Sequence, residues 1–208
     1  MLSGLLSVPP TAATFNFLLD WYLVSAILSG GAVIGMLLFF SFKYRRRPNS
    51  PPPQKGPESI WVVVAIVVIM ALALGAAGYQ TFASSTNIEI PNNPNAITIK
   101  VTGFQWGWNF TYPNGAFNVG NLTVPAGQVI ILNITSKDVY HTFGIAMLAV
   151  KEDAIPGKVN QAWFEMPNTG SYVDAIRCYQ LCGVGHSFMV ANLTVVSDSA
   201  WAAFQSSG

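Results

Sequence analysis

The sequence predicts two membrane-spanning helices followed by an all-β sandwich with Greek-key connections. The 208-residue chain is 51% hydrophobic and only 9% charged, whereas ordinary soluble domains are roughly 25% charged. Two long uncharged stretches precede residue 86, and short β-type runs separated by turn signals follow it. The net charge is only +1, so we expect a membrane-linked protein without a basic surface or a nucleic-acid partner.

The first helix is predicted over about residues 17–42, because Trp21 to Phe42 carries no charged residue and is long enough to span a bilayer. A signal peptide is the competing interpretation, but the basic N-terminal region is missing and the apolar run is too long for one. The second helix is predicted over about residues 60–83, and its uncharged part runs from Ile60 to Tyr79.

The linker between the helices, residues 43–59, is basic and rich in proline, which prevents a continuous helix. Positively charged loops stay on the cytoplasmic side of a membrane. We therefore predict a multi-pass plasma-membrane protein in which residues 1–85 form a helical hairpin, both termini lie outside, and residues 86–208 form an extracytoplasmic domain. The linker residues behind this prediction are Lys43, Arg45, Arg46, Arg47 and Lys55, the single acidic Glu58, and prolines at positions 48, 51, 52, 53 and 57.

From Ala96 onward the chain consists of short β-type runs. Ile97, Ile99 and Val101 alternate with polar residues, and the turn signals Pro-Asn-Gly, Pro-Ala-Gly and Pro-Asn-Thr-Gly separate later runs. Several short strands with such turns predict a Greek-key sandwich. The later runs are Asn121 to Val124, Val129 to Ile134, Ala162 to Met166, Tyr172 to Ile176 and Met189 to Val196.

The stretch CYQLCGVGHSFM brings Cys178, Cys182, His186 and Met189 into one short loop between the last two predicted strands. Thiolate and thioether sulfur with imidazole is a donor set that favours copper. One thiolate is enough for a mononuclear blue-copper site, so the second cysteine suggests two thiolates held between two metal ions. The only other histidine, His141, is expected from the loop after the Val129 run.

Three other interpretations of these residues stay open at this point. A disulfide between Cys178 and Cys182 is possible in an outward-facing domain, but it leaves His186 and Met189 without a role. A tetrahedral zinc site of two cysteines and two histidines has no use for Met189. Methionine is also a common core filler, and Met147 and Met166 are interpreted in that way.

Several segments of the chain resemble subunit II of cytochrome c oxidase, the copper-bearing subunit through which electrons reach haem-copper terminal oxidases. The resemblance covers both helices and a cupredoxin domain, a Greek-key sandwich that holds copper at one end. The matching segments are Cys178-x-Gln180-x-Cys182-x3-His186-x2-Met189, Asp138-Val-Tyr-His141, Lys151 to Gln161, and the aromatic segment Gly103-Phe-Gln-Trp106-Gly-Trp108.

The resemblance implies a dinuclear copper A centre of two copper ions. By that resemblance, Cys178 and Cys182 bridge both ions, His141 and Met189 complete one, and His186 with the backbone carbonyl of Gln180 completes the other. Trp106 aligns with the tryptophan that receives electrons in this family, whereas we expect Trp108 to pack in the sandwich.

The implied function is that of a subunit of a cytochrome c oxidase-type oxidoreductase. Single electrons pass from an external carrier to copper and then to haem in subunit I, where oxygen is reduced to water. Subunit I and further membrane subunits are the expected partners. The alternatives are a copper A subunit of a nitric oxide reductase and a membrane-anchored blue-copper carrier, which needs only one anchor and one cysteine.

Two departures from the family pattern bear on the partners. Gln180 stands where most members have Glu, whose side chain also reaches a magnesium ion at the boundary with subunit I, and so we leave magnesium open. Phe104 and Gly107 stand where His and Tyr are common. The electron donor is therefore expected to be either cytochrome c or a small blue-copper protein.

Overall fold

The computed structural model describes residues 10–45, 56, 59–85 and 89–206. Residues 16–86 form one compact unit, and the domain that follows belongs to a second. The first unit contains two apolar helices and the second is a β-sandwich, which confirms the predicted fold class.

The two helices are α1 (Pro10–Lys43) and α2 (Ile60–Ser85), and both are long and apolar enough to cross a membrane. Helix α1 begins earlier than the predicted residue 17, since the fixed φ of proline suits the first position of a helix. The Tyr22 hydroxyl donates to the carbonyl of Ala77 at 3.3 Å and contacts Thr81 Oγ1. These contacts join the start of α1 to the end of α2, so the helices pair as an antiparallel hairpin.

Most of the basic, proline-rich linker falls outside the described residues, including Arg46, Arg47, Lys55 and the five prolines. At its beginning, Lys43 is the last residue of α1, and its ammonium group lies 5.2 Å from the centre of the Phe39 ring. The predicted cytoplasmic position of the linker is therefore still a sequence-based prediction.

The described part of the second unit contains ten strands, two short 3₁₀ turns and a C-terminal helix. The turns span Ala146–Leu148 and His186–Phe188, and helix α3 spans Asp198–Ser206. The strands are β1 (Ile97–Phe104), β2 (Gly107–Thr111), β3 (Phe117–Val119), β4 (Asn121–Pro125), β5 (Val129–Ser136), β6 (His141–Ile145), β7 (Val150–Ala154), β8 (Asn160–Glu165), β9 (Gly170–Cys178) and β10 (Val190–Val196).

The strands form two five-stranded sheets with the orders β3-β2-β1-β5-β8 and β4-β10-β9-β6-β7. The pairs β1–β5 and β4–β10 are parallel, and the other pairs are antiparallel. Every second residue of the strands points inward, and the inward side chains of both sheets form one apolar core. This core includes the fully buried Ile99, Ile134, Phe143, Ile176 and Leu193.

Strands β2, β3, β6 and β7 were not expected from the sequence, and β6 corrects the expected position of His141. This histidine is the first residue of a strand, whereas we had expected it in a loop. Strand β6 contains Gly144, and β7 carries three consecutive charged residues, so neither has a strong β pattern of its own. Pairing with β9 keeps β6 extended, and β6 in turn pairs with β7.

Trp108 of β2 is fully buried, as expected for a packing residue, and its ring meets that of Phe143 edge-on with 5.2 Å between centroids. We predict that Trp108→Ala lowers the free energy of unfolding of the β domain by about 3–5 kcal/mol, because it leaves a large cavity. Chemical denaturation followed by circular dichroism measures the change. Phe117→Ala, at a side chain that is 72% exposed, is the control and should change stability by less than about 0.5 kcal/mol. Equal effects of the two substitutions would contradict the prediction.

Candidate metal centre

The end of one sheet carries a loop that begins and ends with a candidate metal ligand. Strand β9 ends at Cys178 and β10 begins at Val190, so the loop connects two antiparallel strands that are neighbours in the sheet. The amide of Cys178 donates to the carbonyl of Met189 at 3.1 Å. This bond closes the base of the loop and holds Cys178 beside Met189.

The two thiols lie at the centre of the cluster, with their sulfur atoms 3.9 Å apart. Cys182 Sγ lies 3.6 Å from His186 Nδ1 and 3.7 Å from Met189 Sδ. Cys178 Sγ lies 3.2 Å from the carbonyl oxygen of Gln180. The loop residues singled out in the sequence are therefore brought together around the two sulfur atoms.

The remaining histidine reaches the cluster from β6, which pairs with β9. His141 is fully buried, and its Nδ1 lies 3.9 Å from Cys178 Sγ. Gly103 of β1 makes room for it, because a Cβ atom at that position would lie 3.1 Å from the imidazole ring and 3.0 Å from Trp108. The glycine at the start of the aromatic segment thus has a steric role beside the site.

Asp138 determines which nitrogen of His141 is available to a metal. Its Oδ1 lies 2.9 Å from His141 Nε2, and its carboxylate also accepts hydrogen bonds from the amides of Gln105 and Val139 at 2.7 and 2.6 Å. Partial burial raises the pKa of Asp138, but the hydrogen bonds from His141, Gln105 and Val139 outweigh it and lower the pKa to about 2. An ionised carboxylate only accepts, so Nε2 carries the proton and the lone pair of Nδ1 faces Cys178.

The distances between donor atoms can be tested against metal binding. Metal–thiolate bonds of about 2.3 Å and metal–imidazole bonds of about 2.0 Å allow two donors of one ion to lie up to roughly 4.3–4.6 Å apart. Cys178 Sγ lies 3.9 Å both from Cys182 Sγ and from His141 Nδ1. The donor atoms of these three residues all lie within 4.8 Å of one another. The cluster therefore brings its donor atoms close enough together that it could hold metal ions.

The same distances bear on the competing interpretations. A disulfide needs sulfur atoms about 2.05 Å apart, whereas Cys178 and Cys182 are 3.9 Å apart and free. Met189 is fully buried with its sulfur directed to Cys182, so the cluster contains a thioether for which a zinc site has no need. Two thiols, two imidazoles and a thioether favour copper.

Protein atoms surround most of the donors. His141 and Met189 have no exposed surface, Cys178 and Cys182 are 8% and 5% exposed, and His186 is half-buried. Burial, followed by the neighbouring Cys178, raises the pKa of the Cys182 thiol to about 11. Cysteine binds metals as the thiolate, so metal binding at this site must displace a proton from Cys182.

The aromatic segment directly contacts the loop from Cys178 to Met189, the metal loop. The side-chain amide of Gln105 donates to the carbonyl of Cys182 at 2.6 Å, and the Trp106 ring lies against Gly183 and Gly185 while keeping 41% of its surface exposed. Gln105 was not identified from the sequence, because one glutamine beside two tryptophans gives no signal of its own.

The unusual Phe104 and Gly107 of this segment form a matched pair. A Cβ atom at position 107 would lie 2.8 Å from the tip of the Phe104 ring, so the ring occupies the space that a side chain at position 107 would need. The Phe104 ring and the absence of a side chain at position 107 are therefore sterically matched.

Comparisons with known proteins identify the family of the chain. Residues 116–196 match the family described as "Cytochrome C oxidase subunit II, periplasmic domain". The chain is 30% identical to "Heme-copper oxidase subunit 2" of Aeropyrum pernix over 92% of this chain and 88% of that protein. It is 25% identical to "Cytochrome c oxidase subunit 2" of Cereibacter sphaeroides over 95% of this chain and 77% of that protein.

A solved structure also resembles the β domain. The crystal structure of the periplasmic domain of subunit II of cytochrome oxidase of Bradyrhizobium japonicum aligns with a TM-score of 0.51 and 33% sequence identity, covering 57% of this chain and 95% of that one. The resemblance drawn from the sequence motifs is therefore confirmed.

Asp138→Ala is predicted to weaken copper binding by about 10- to 100-fold, because His141 loses the partner that orients its ring. Competition between the purified protein and a copper chelator measures the change. Asp153→Ala is the matched control, since this carboxylate accepts a hydrogen bond from the Thr142 hydroxyl and not from His141. Unchanged affinity in Asp138→Ala would show that the ligand is oriented without this hydrogen bond.

Proposed function

Because the chain belongs to the family of haem-copper oxidase subunit 2, we propose that its β domain holds a dinuclear copper A centre and is the electron-accepting part of the oxidase. The protein is a membrane-anchored subunit of an oxidoreductase complex. In the proposed function, electrons from an external carrier reach haem in subunit I, where oxygen is reduced to water. The buried cluster of two thiols, two imidazoles and a thioether is the observation that carries this proposal.

The proposed ligands are the donor atoms gathered in the cluster, and their division between two ions follows the family resemblance. Cys178 and Cys182 would hold both copper ions, His141 and Met189 would complete one ion, and His186 with the carbonyl of Gln180 would complete the other. The central position of both sulfur atoms supports the bridging role. The 3.2 Å contact between Cys178 Sγ and the Gln180 carbonyl oxygen supports the assignment of that main-chain ligand.

Copper bound in this cluster supplies a centre that accepts and releases one electron at a time. The protein contributes fixed positions for the ligands. Cys178 and Met189 are joined by a main-chain hydrogen bond, and His141 is held between β6 and the carboxylate of Asp138. Rigid ligands need little rearrangement when the charge changes, and their burial excludes water, which tunes the potential.

Trp106 is the proposed site of electron uptake. Its indole is partly exposed and lies against the loop that carries Cys182 and His186, so it connects the solvent with the metal ligands. Aromatic side chains are also enriched at protein interfaces. The buried Trp108 has no such access.

The proposed donor is cytochrome c or a small blue-copper protein that docks mainly through apolar contacts. Between Glu89 and Asp198 the domain has seven acidic and five basic side chains, so it carries no strong field of either sign. The carboxylate of Asp138, which lies beside the aromatic segment, already takes part in four hydrogen bonds, with the Gln105 and Val139 amides, His141 and the Ser136 hydroxyl. We therefore expect salt to have little effect on turnover with the donor.

The remaining parts of the proposal concern the complex and the membrane. Subunit I and further membrane subunits are the proposed partners, the helix linker is cytoplasmic, and both termini with the β domain lie outside the plasma membrane. The neutral amide of Gln180 lacks the anionic oxygen that magnesium prefers, so magnesium at the subunit I boundary does not form part of the proposal.

Cys178→Ser in the assembled complex is predicted to abolish the dinuclear copper spectrum and oxygen reduction driven by the donor, because a hydroxyl cannot bridge two metal ions as a thiolate does. Gln180→Ala is the matched variant, and it should keep both properties because its main-chain carbonyl remains. Visible spectra, copper content and oxygen consumption provide the readouts. Loss of the site in both variants would refute the carbonyl ligand, and full turnover in Cys178→Ser would refute the proposed function.

Trp106→Phe is predicted to lower turnover with the donor while leaving copper content, copper spectra and copper-to-haem transfer unchanged. The smaller ring covers less of the gap between the docked donor and the loop. Steady-state oxygen consumption measures the first property, and reduction by a flash-driven artificial reductant, which bypasses docking, measures the last. If copper content or copper-to-haem transfer falls instead, Trp106 is a structural residue and electrons are taken up elsewhere.

A further inference from the structure

The Trp106 indole touches the metal loop at two glycines. A Cβ atom at Gly185 would come closer than 3.0 Å to Cγ, Cδ2 and Cε3 of the indole, which real Cβ atoms essentially never do. A Cβ atom at Gly183 would lie 3.3 Å from Cζ2 and Nε1 of the same ring. The indole therefore lies on the main chain that connects Cys182 to His186.

The two glycines are present for different physical reasons. Gly183 has a φ of 120°, a conformation that residues with a side chain rarely adopt. Gly185 has a φ of −90° and a ψ of 9°, which alanine can adopt. The backbone conformation at position 185 therefore does not require glycine. The indole does require it, because the ring occupies the space that a Cβ atom would need.

From this contact we propose that Gly185 is a positioning residue for electron uptake. The absence of a side chain at position 185 lets the Trp106 ring approach the main chain between two ligands, Cys182 and His186. This inference rests on the proposed role of Trp106. It adds a determinant of uptake rate that lies in the metal loop but supplies no ligand.

A small adjustment of the Trp106 ring cannot accommodate a methyl group added at position 185. Gln105, which precedes Trp106, is held by two hydrogen bonds. Its side-chain amide donates to the Cys182 carbonyl at 2.6 Å, and its main-chain amide donates to the Asp138 carboxylate at 2.7 Å. The clash at Gly185 involves Cγ and Cδ2, which lie near the base of the indole. Rotation of the ring tip cannot relieve it, so the whole ring must move away from the loop.

The test compares Gly185→Ala with Trp106→Phe in the assembled oxidase. Cytochrome c or a small blue-copper protein serves as the donor, whichever sustains turnover of the unaltered complex. Gly185→Ala is expected to lower saturating turnover, as Trp106→Phe does, because the displaced indole no longer lies on the loop. Copper content, copper spectra and flash-driven copper-to-haem transfer should be unchanged. Val184→Ala, at a side chain that is 92% exposed between the two glycines, is the control and should keep the saturating rate.

A double variant separates the inference from the proposed function. If Gly185 acts through Trp106, adding Gly185→Ala to Trp106→Ala, which removes the ring and with it the clash, lowers uptake no further. An additional loss in the double variant, loss of copper in Gly185→Ala, or unchanged uptake in Gly185→Ala while Trp106→Phe is slow would each overturn the inference alone. Unchanged uptake in Trp106→Phe itself would overturn the proposed role of Trp106, and the inference with it.

Discussion

The carboxylate of Asp138 forms hydrogen bonds both with the cluster of candidate metal ligands and with the aromatic segment that covers it. Its 2.9 Å contact with His141 Nε2 directs the other ring nitrogen toward Cys178, and its hydrogen bond from the Gln105 amide fixes the residue that precedes Trp106. Gln105 then binds the carbonyl of Cys182 with its side chain. A single acidic group thus couples the orientation of a ligand to the position of the exposed indole, and its low pKa keeps it ionised for both tasks.

This arrangement depends on the sandwich beneath it. Strands β6, β9 and β10 are neighbours in one sheet, so His141, Cys178 and Met189 meet at its end although they are far apart in sequence. The aromatic segment comes from the other sheet, where β1 ends at Phe104 and β2 begins at Gly107. The candidate metal ligands and the residues that cover them are therefore held by opposite sheets across one core, so separate strands keep them in fixed positions.

The sequence predicted the helices, the sandwich and the set of donor residues, because these depend on apolar periodicity and on the chemistry of Cys, His and Met. It did not reveal β6 and β7, whose glycine and consecutive charges give no β pattern and whose extended form comes from pairing with neighbours. Nor did it identify the contacts of Gln105 and Gly185. Their roles follow from which side chains meet in space, and Gly183 and Gly185 look alike in sequence although their backbone conformations differ.

The most direct measurement is metal analysis with electron paramagnetic resonance on residues 86–208 reconstituted with copper. If Cys178 and Cys182 bridge a dinuclear centre, we expect two copper ions per chain. The unpaired electron should then show hyperfine coupling to both copper nuclei. One copper ion per chain with a four-line hyperfine pattern would mean a mononuclear blue-copper site. Zinc bound in place of copper would remove the basis for electron transfer through this domain.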